Sequence, residues 1–116
     1  MPIRTWTFEN KPVIRIGRCS DNDVILYSSV VSRYHVELRH NHHNWEIINL
    51  GSNGTYLNGK QITQINVVNG LIINVALSGP KIALYLDNRL KEAEIKQKQN
   101  YHQQEEHFHI FADFTD

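Results

Sequence analysis

Short segments with a strand-like pattern of apolar and polar residues follow one another from about residue 3 to residue 86. Side chains of a half-buried strand alternate between core and solvent, whereas a helix repeats its apolar positions every three or four residues. The segments that this pattern predicts as strands are residues 13–16, 24–27, 35–39, 45–50, 56–57, 61–62, 71–77 and 82–86. Strands this short, with turn residues between them, predict an all-β antiparallel sandwich or barrel.

Turn residues mark where consecutive strands are joined. Asn58-Gly59 separates two short strand segments, and this dipeptide is the strongest local signal for a type I′ hairpin turn. Residues 41–44 predict another hairpin tip, and residues 78–80 predict the turn before the strand at 82–86.

The composition changes after residue 86. Residues 88–106 are rich in Lys, Glu and Gln and contain no Gly or Pro, which favours a helix. Residues 108–114 are apolar again and are compatible with a packed tail, an oligomer contact or the start of a further domain. We therefore predict a domain over residues 1–88 and a helical or irregular extension over residues 89–116.

Length and charge restrict the class of protein. The chain has 116 residues, enough for one domain, and its formal net charge of zero argues against a general nucleic-acid binder. No apolar run is long enough to predict a membrane span, and the first residues do not resemble a secretory signal. Cys19 is the single cysteine, so we expect no internal disulfide and a cytoplasmic location.

Four polar patches fall between the predicted strands. They are Gly17-Arg18, Ser32-Arg33-Tyr34-His35, Ser52-Asn53-Gly54-Thr55 and Asn58-Gly59. Arginine offers a planar cation that binds two oxygens of one phosphate, serine offers a hydroxyl donor, and asparagine offers both a donor and an acceptor. The patches contain no nucleophile paired with a base, so we expect a binding site without catalysis and without a cofactor.

In their order and spacing, these patches resemble the forkhead-associated (FHA) domain family. The resemblance covers residues 14–62 by motif and extends to about residue 86 by strand pattern. It implies a sandwich of two mainly antiparallel sheets whose end loops bind phosphothreonine in a partner protein during signalling. It implies neither nucleic-acid nor membrane binding.

The resemblance also assigns roles to single residues. Arg18 and Ser32 match the positions that bind phosphate, and Arg33 matches a side chain that faces the phosphopeptide. Ser52 matches a further phosphate contact, and Asn53 matches the asparagine that binds the peptide main chain. The positions implied to support the binding loops are Gly17, His35, Gly54, Thr55, Asn58 and Gly59.

Other interpretations of these residues remain open. Ser32 and Asn53 are also typical turn residues, and Arg33 could pair with a surface carboxylate. The histidines at 40, 42 and 43 and at 102, 107 and 109 suggest a metal site, but they lack a nearby cysteine or carboxylate at ligand spacing, so we expect none. A phosphate-independent scaffold or oligomerisation domain on the same fold is the alternative function, with self-association through the C-terminal tail.

Overall fold

The structure, a computed structural model, describes residues 3–42, 44–87 and 107–113. These residues form eleven β-strands and no helix. The strands are β1 (Ile3–Glu9), β2 (Val13–Gly17), β3 (Val24–Ile25), β4 (Val36–Asn41), β5 (Asn44–Asn49), β6 (Thr55–Leu57), β7 (Lys60–Ile62), β8 (Gln64–Asn66), β9 (Leu71–Val75), β10 (Lys81–Asp87) and β11 (His107–Asp113). The helix that we predict over residues 88–106 lies outside the described residues.

The strands form two sheets. The six-stranded sheet has the order β1-β11-β10-β9-β6-β7, and the five-stranded sheet has the order β3-β2-β4-β5-β8. Neighbouring strands run antiparallel, except that β3 runs parallel to β2. The prediction of an all-β fold with two mainly antiparallel sheets is confirmed.

The apolar C-terminal segment is a central strand. Strand β11 lies between β1 and β10 and pairs with both along its whole length. The sheet therefore contains a strand from beyond residue 88, the position at which we expected the domain to end. Of the three predicted roles for this segment, the packed tail is closest to the observed arrangement.

The core lies between the two sheets. Ile14, Ile16 and Leu38 of the smaller sheet are fully buried, as are Leu84 and Ile110 of the larger one. Burying a side chain of this size contributes about 1.5–3 kcal/mol, so this interface supplies most of the driving force for folding.

Aromatic packing joins the two sheets. The rings of Trp45 on β5 and Phe108 on β11 meet edge to face, with centroids 4.9 Å apart.

Within the described parts of the chain, no helix is long and apolar enough to cross a membrane.

The strands predicted from the alternating pattern agree best with the structure where two strands form a hairpin. Strand β1 lies in a region that we predicted to be strand-rich without placing the strand itself, and β8 was not predicted. Strand β8 has only three residues, Gln64–Asn66, and pairs with β5 at the edge of the smaller sheet. A three-residue segment carries too little alternation to be recognised by itself. The equally short β6 and β7 were predicted because they flank the turn signal Asn58-Gly59.

Candidate functional site

Three loops meet at one end of the sandwich. They are the β2–β3 loop (residues 18–23), the β3–β4 loop (residues 26–35) and the β5–β6 loop (residues 50–54). Each leaves a strand whose inward side chains are buried in the core, so the loop ends are held by a rigid scaffold. The loops carry all five predicted peptide-binding side chains, namely Arg18, Ser32, Arg33, Ser52 and Asn53.

Arg18 is anchored by part of its own guanidinium group. Its Nε donates a hydrogen bond to the carbonyl oxygen of Val31 at 3.0 Å, and its main-chain N–H donates to the carbonyl of Ser32 at 3.0 Å. These bonds fix the β2–β3 loop against the β3–β4 loop. They leave the two terminal nitrogens of the guanidinium group available as a pair of donors, the arrangement that binds phosphate oxygens in parallel.

Ser32 and Ser52 are joined across two loops. The main-chain N–H of Ser52 donates to Oγ of Ser32 at 3.3 Å. Because Oγ of Ser32 accepts this bond, its own hydroxyl hydrogen remains available for an acceptor such as a phosphate oxygen. The side chain of Ser52 is exposed beside it.

Asn53 is also bound to the β3–β4 loop. Its Nδ2 donates to the carbonyl oxygen of Val30 at 2.8 Å, while the residue remains exposed. One amide hydrogen is used in this bond. The second hydrogen and the Oδ1 atom keep a defined direction and can bind a donor and an acceptor of a peptide main chain.

Arg33 has a fixed main chain and an exposed side chain. Its carbonyl oxygen accepts hydrogen bonds from the N–H of Cys19 at 3.1 Å and from Nδ2 of Asn22 at 2.7 Å. Within the described residues, no carboxylate lies within 4 Å of the guanidinium group of Arg33 or of Arg18. Both cations therefore face solvent without an acidic partner in this part of the chain.

Asn22 is a support residue that the sequence did not single out. It is buried, and its Nδ2 donates to the carbonyls of both Cys19 and Arg33, which ties the β2–β3 loop to the β3–β4 loop. Gly17 allows this close approach, because a Cβ atom at this position would lie 2.2 Å from the carbonyl oxygen of Arg33. The supporting position predicted for Gly17 thus has a direct steric explanation.

His35 is fully buried beneath the loops. Its Nδ1 accepts a hydrogen bond from the N–H of Ser32 at 2.9 Å, so the proton of the neutral ring resides on Nε2, which donates to the carbonyl oxygen of Gly54 at 2.8 Å. Burial lowers the pKa of His35, and the bond to Gly54 opposes that shift. The ring is a neutral brace between the β3–β4 and β5–β6 loops.

Two glycines make room for this brace. A Cβ atom on Gly51 would lie 2.5 Å from the ring of His35, so the main chain of the β5–β6 loop lies directly against the imidazole. Gly54 has a φ of 79°, in the left-handed region that glycine tolerates best. Its carbonyl oxygen also accepts a bond from the N–H of Ala76 at 2.9 Å.

Thr55 and Asn49 close the base of the β5–β6 loop. The hydroxyl of the buried Thr55 donates to Oδ1 of Asn49 at 2.8 Å. Asn49 in turn donates from Nδ2 to the carbonyl of Gly51 at 3.1 Å. Thr55 was predicted as a supporting residue. Asn49 was missed, since an asparagine that ends a strand resembles any turn residue in sequence.

Asn58 and Gly59 form the predicted hairpin turn. Their φ angles are 50° and 80°, as a type I′ turn requires, and they join Leu57 to its register partner Lys60. They shape the exposed tip of the β6–β7 hairpin.

Tyr34 and Asp21 form a further link between two of the loops. The hydroxyl of Tyr34 donates to Oδ2 of Asp21 at 2.7 Å. This bond lowers the pKa of the Asp21 carboxyl group and raises that of the Tyr34 hydroxyl group. The Asp21 carboxylate is thereby directed towards a neutral donor.

The histidines do not assemble a recognisable metal site in the described part of the chain. No group of three or more His, Cys, Asp or Glu side chains there has a geometry that could hold a metal ion. Instead, the ring of His40 stacks on Trp45, with centroids 5.2 Å apart.

Comparisons with known proteins place this chain in a family. The family model of the FHA domain matches residues 14–76, more than half of the chain. The chain is 32% identical over 79 residues to the glycogen accumulation regulator GarA of Mycolicibacterium smegmatis, covering 62% of this chain and 50% of GarA. It is 37% identical over 78 residues to an oxoglutarate dehydrogenase inhibitor of Corynebacterium jeikeium, covering 66% of this chain and 51% of that protein. The chain thus spans about half the length of the curated relatives it matches.

A solved structure shows the same fold. Mycobacterium tuberculosis EmbR in complex with a low-affinity phosphopeptide superposes with a TM-score of 0.54 at 27% identity, over 61% of this chain and 22% of EmbR. The sandwich, the three joined loops and the family match agree, and the chain belongs to the forkhead-associated (FHA) domain family.

Proposed function

We propose that this chain binds phosphothreonine-containing segments of partner proteins and so mediates phosphorylation-dependent interactions in signalling. One observation carries the proposal: Arg18, Ser52 and Asn53, from two different loops, all donate hydrogen bonds to the loop that carries Ser32. Four candidate ligand-binding residues are thereby positioned together by hydrogen bonds within the chain itself. The EmbR structure supports the proposal, because it is an FHA relative in complex with a phosphopeptide.

The remaining donors suit a dianion. A phosphothreonine carries about −1.5 to −2 charges near pH 7 and three acceptor oxygens. The terminal nitrogens of Arg18, the hydroxyl of Ser32 and the exposed hydroxyl of Ser52 offer donors on three joined loops, while Arg33 adds a second positive charge. A single carboxylate has fewer acceptor oxygens and one charge, so an acidic peptide without phosphate satisfies this site less well.

Asn53 supplies the contact that distinguishes a peptide from free phosphate. Its amide is oriented by the carbonyl of Val30 and retains one donor and one acceptor. Such a pair matches the C=O and N–H groups of an extended main chain next to the phosphorylated residue. We assign Asn53 to the peptide main chain, and Arg18 and Ser32 to the phosphate.

The proposed role is binding without catalysis. The curated relatives are named as a regulator and an inhibitor, which supports a regulatory role rather than an enzymatic one. We also propose a reducing compartment such as the cytoplasm, because Cys19 carries a free thiol.

The test is a titration of the whole chain with a phosphothreonine peptide library and its unphosphorylated twin. Wild type should bind phosphorylated members only. Arg18→Ala removes hydrogen bonds to a charged group, worth about 2–3 kcal/mol together, and should weaken binding about 30- to 150-fold. Arg39→Ala is the matched control, because Arg39 is exposed on β4 and pairs with Glu37 at 2.8 Å.

The outcomes separate the proposal from its alternative. Equal affinity for the phosphorylated and unphosphorylated libraries, or an equal loss in the Arg18 and Arg39 variants, would refute phosphothreonine recognition. Absence of binding by wild type would favour a phosphate-independent scaffold on the same fold.

A further inference from the structure

The outer face of the six-stranded sheet carries a patch far in sequence from the binding loops. On β10 and β11, residues 82, 84, 108, 110 and 112 are buried, so the alternating positions between them point outwards. We call these outward residues the outer patch. They are Lys81, Ala83, Tyr85, Asp87, His107, His109, Phe111 and Asp113.

The centre of the outer patch is apolar and concave. Ala83, Tyr85, His109 and Phe111 line an open depression of about 520 Å³. The rings of Tyr85 and Phe111 meet edge to face with centroids 5.5 Å apart, and Tyr85 is nevertheless 44% exposed. Ile72, the neighbour of Ala83 on β9, is 53% exposed. Aromatic side chains such as these are enriched at the centre of protein–protein interfaces.

The corners of the outer patch carry ionisable side chains. Lys81 is the register partner of Asp113 at one end, and Asp87 is the register partner of His107 at the other. Along β10, the cation comes first and the anion last. Along β11 the imidazole of His107 comes first, 3.5 Å from a carboxylate oxygen of Glu9 on β1, and the anion comes last, so the two carboxylates of the patch lie at diagonally opposite corners.

The outer patch of one copy is complementary to the same patch of a second copy. When two identical sheets pack face to face, the twofold axis lies in the plane between them. An axis perpendicular to the strands places residue 81 opposite residue 87 of the other copy, and residue 83 opposite residue 85. The chain thus offers a cation to an anion at the ends, and the small Ala83 to the ring of Tyr85 in the middle.

The other in-plane axis gives the same result. An axis parallel to the strands, between β10 and β11, places Lys81 opposite Asp113 of the other copy and Ala83 opposite Phe111. Opposite charges again meet at the corners, and a small side chain again faces an aromatic ring over the depression. This twofold self-complementarity favours a second copy of the chain, rather than an unrelated protein, as the partner.

We propose that two copies of this chain pair face to face through the outer patch. The outer face of β1, β11, β10 and β9, which has the patch at its centre, spans about 23 Å along seven-residue strands and about 19 Å across, or about 440 Å² in each copy. The two copies together would bury about 900 Å², below the range of stable complexes, so the dimer should be weak and reversible. Since the patch is a sheet face and the binding loops lie at strand ends, pairing leaves the loop residues out of the interface.

Sedimentation equilibrium of the whole chain from about 10 µM to about 1 mM tests the proposal. The average mass should rise from 13.5 kDa towards twice that value as the concentration increases. Tyr85→Ser should weaken association at least about tenfold, because it removes the ring at the centre of the patch. Val68→Ser is the matched control, because Val68 is 62% exposed in the turn between β8 and β9, outside the patch.

Charge reversal identifies the axis. Lys81→Glu should weaken association, because it places like charges together. Adding Asp87→Lys should restore association if the axis is perpendicular to the strands, and adding Asp113→Lys should restore it if the axis is parallel. Thermal unfolding of each variant establishes that it is folded before its mass is interpreted.

Three results would each overturn the proposal. They are a wild-type chain that keeps the mass of one copy at about 1 mM, a folded Tyr85→Ser chain that associates as wild type does, and a Lys81→Glu defect that neither second substitution corrects. None of them bears on phosphopeptide binding, which the Arg18 titration tests separately.

Discussion

Replacing His35 by phenylalanine tests how the binding loops are held. The imidazole is fully buried, accepts a hydrogen bond from the N–H of Ser32 and donates one to the carbonyl of Gly54. Phenylalanine keeps a ring against Gly51 but can make neither bond. The substitution therefore separates hydrogen bonding from packing at the centre of the site.

The two broken bonds have different costs. The N–H of Ser32 loses the partner that the structure gives it, and an unsatisfied buried donor costs about 1–3 kcal/mol. The carbonyl of Gly54 keeps its bond from the N–H of Ala76, so its loss is nearer the net value of one hydrogen bond, about 0.5–1.5 kcal/mol. We expect His35→Phe to lower the free energy of unfolding by about 2–4 kcal/mol.

Removing the ring altogether should cost more. His35→Ala breaks the same two bonds and also leaves a cavity beside Gly51, whose main chain packs directly on the imidazole. A cavity left by a large-to-small change adds to the lost interactions, so we expect a total of about 3–5 kcal/mol. The difference between the two variants measures the packing contribution.

Urea unfolding gives the stability changes, and titration with the best phosphopeptide from the library gives the effect on the site. Affinity should fall at least about tenfold in both variants, because the loops that carry Ser32 and Asn53 lose their common brace. His40→Phe is the control, since His40 is exposed and stacks on Trp45, and it should change stability by no more than about 0.5 kcal/mol. A loss below about 1 kcal/mol in His35→Phe, with affinity unchanged, would show that the brace is dispensable.

Three further perturbations follow from the same structure. Burial lowers the pKa of folded His35 below its ordinary 6.5, so its neutral form contributes stability that is full above about pH 6.5 and is lost as the pH falls. The urea midpoints at pH 7.5 and 5.5 should therefore differ more in wild type than in His35→Phe. Parallel pH profiles of the two proteins would exclude this linkage. Gly17→Ala should lower the melting temperature by well over about 4 °C, because its Cβ would lie 2.2 Å from the carbonyl oxygen of Arg33, and an unchanged melting curve would contradict that contact. Ile110→Ala should cost about 2–5 kcal/mol in urea unfolding, since the fully buried side chain belongs to a central strand, and a loss typical of a surface position would show that β11 does not dock.

Local sequence predicted the features that depend on neighbours along the chain. The alternation at residues 13–16 identified β2, because every second side chain of a strand points to the same face of the sheet, so a strand with one buried face has apolar residues at every second position. Asn58-Gly59 predicted its turn because few residue pairs tolerate two positive φ angles in succession. The ordered patches around Arg18, Ser32 and Asn53 predicted which loops form the candidate site.

The supporting contacts within the site were less accessible from sequence. Asn22 braces the carbonyl of Arg33, eleven residues away, and Asn49 holds both Thr55 and the main chain of Gly51. An asparagine at the end of a strand predicts a local turn equally well. Whether its amide bonds locally or to another loop depends on which loops the fold brings together.

The order of the strands was decided only by the tertiary structure. Residues 107–113 have an apolar alternation that suits a strand, but neither their partners nor their place in a sheet can be inferred from it. In the structure they insert between β1 and β10, so that Thr7 meets His109 across 102 positions of sequence. Such pairing is selected by burial of Phe108, Ile110 and Ala112 against the opposite sheet, a global property of packing. Sequence alone thus determined most of the strands between residues 13 and 86, the turns and the candidate binding chemistry, whereas long-range packing decided which strands are neighbours and which face of the larger sheet remains exposed.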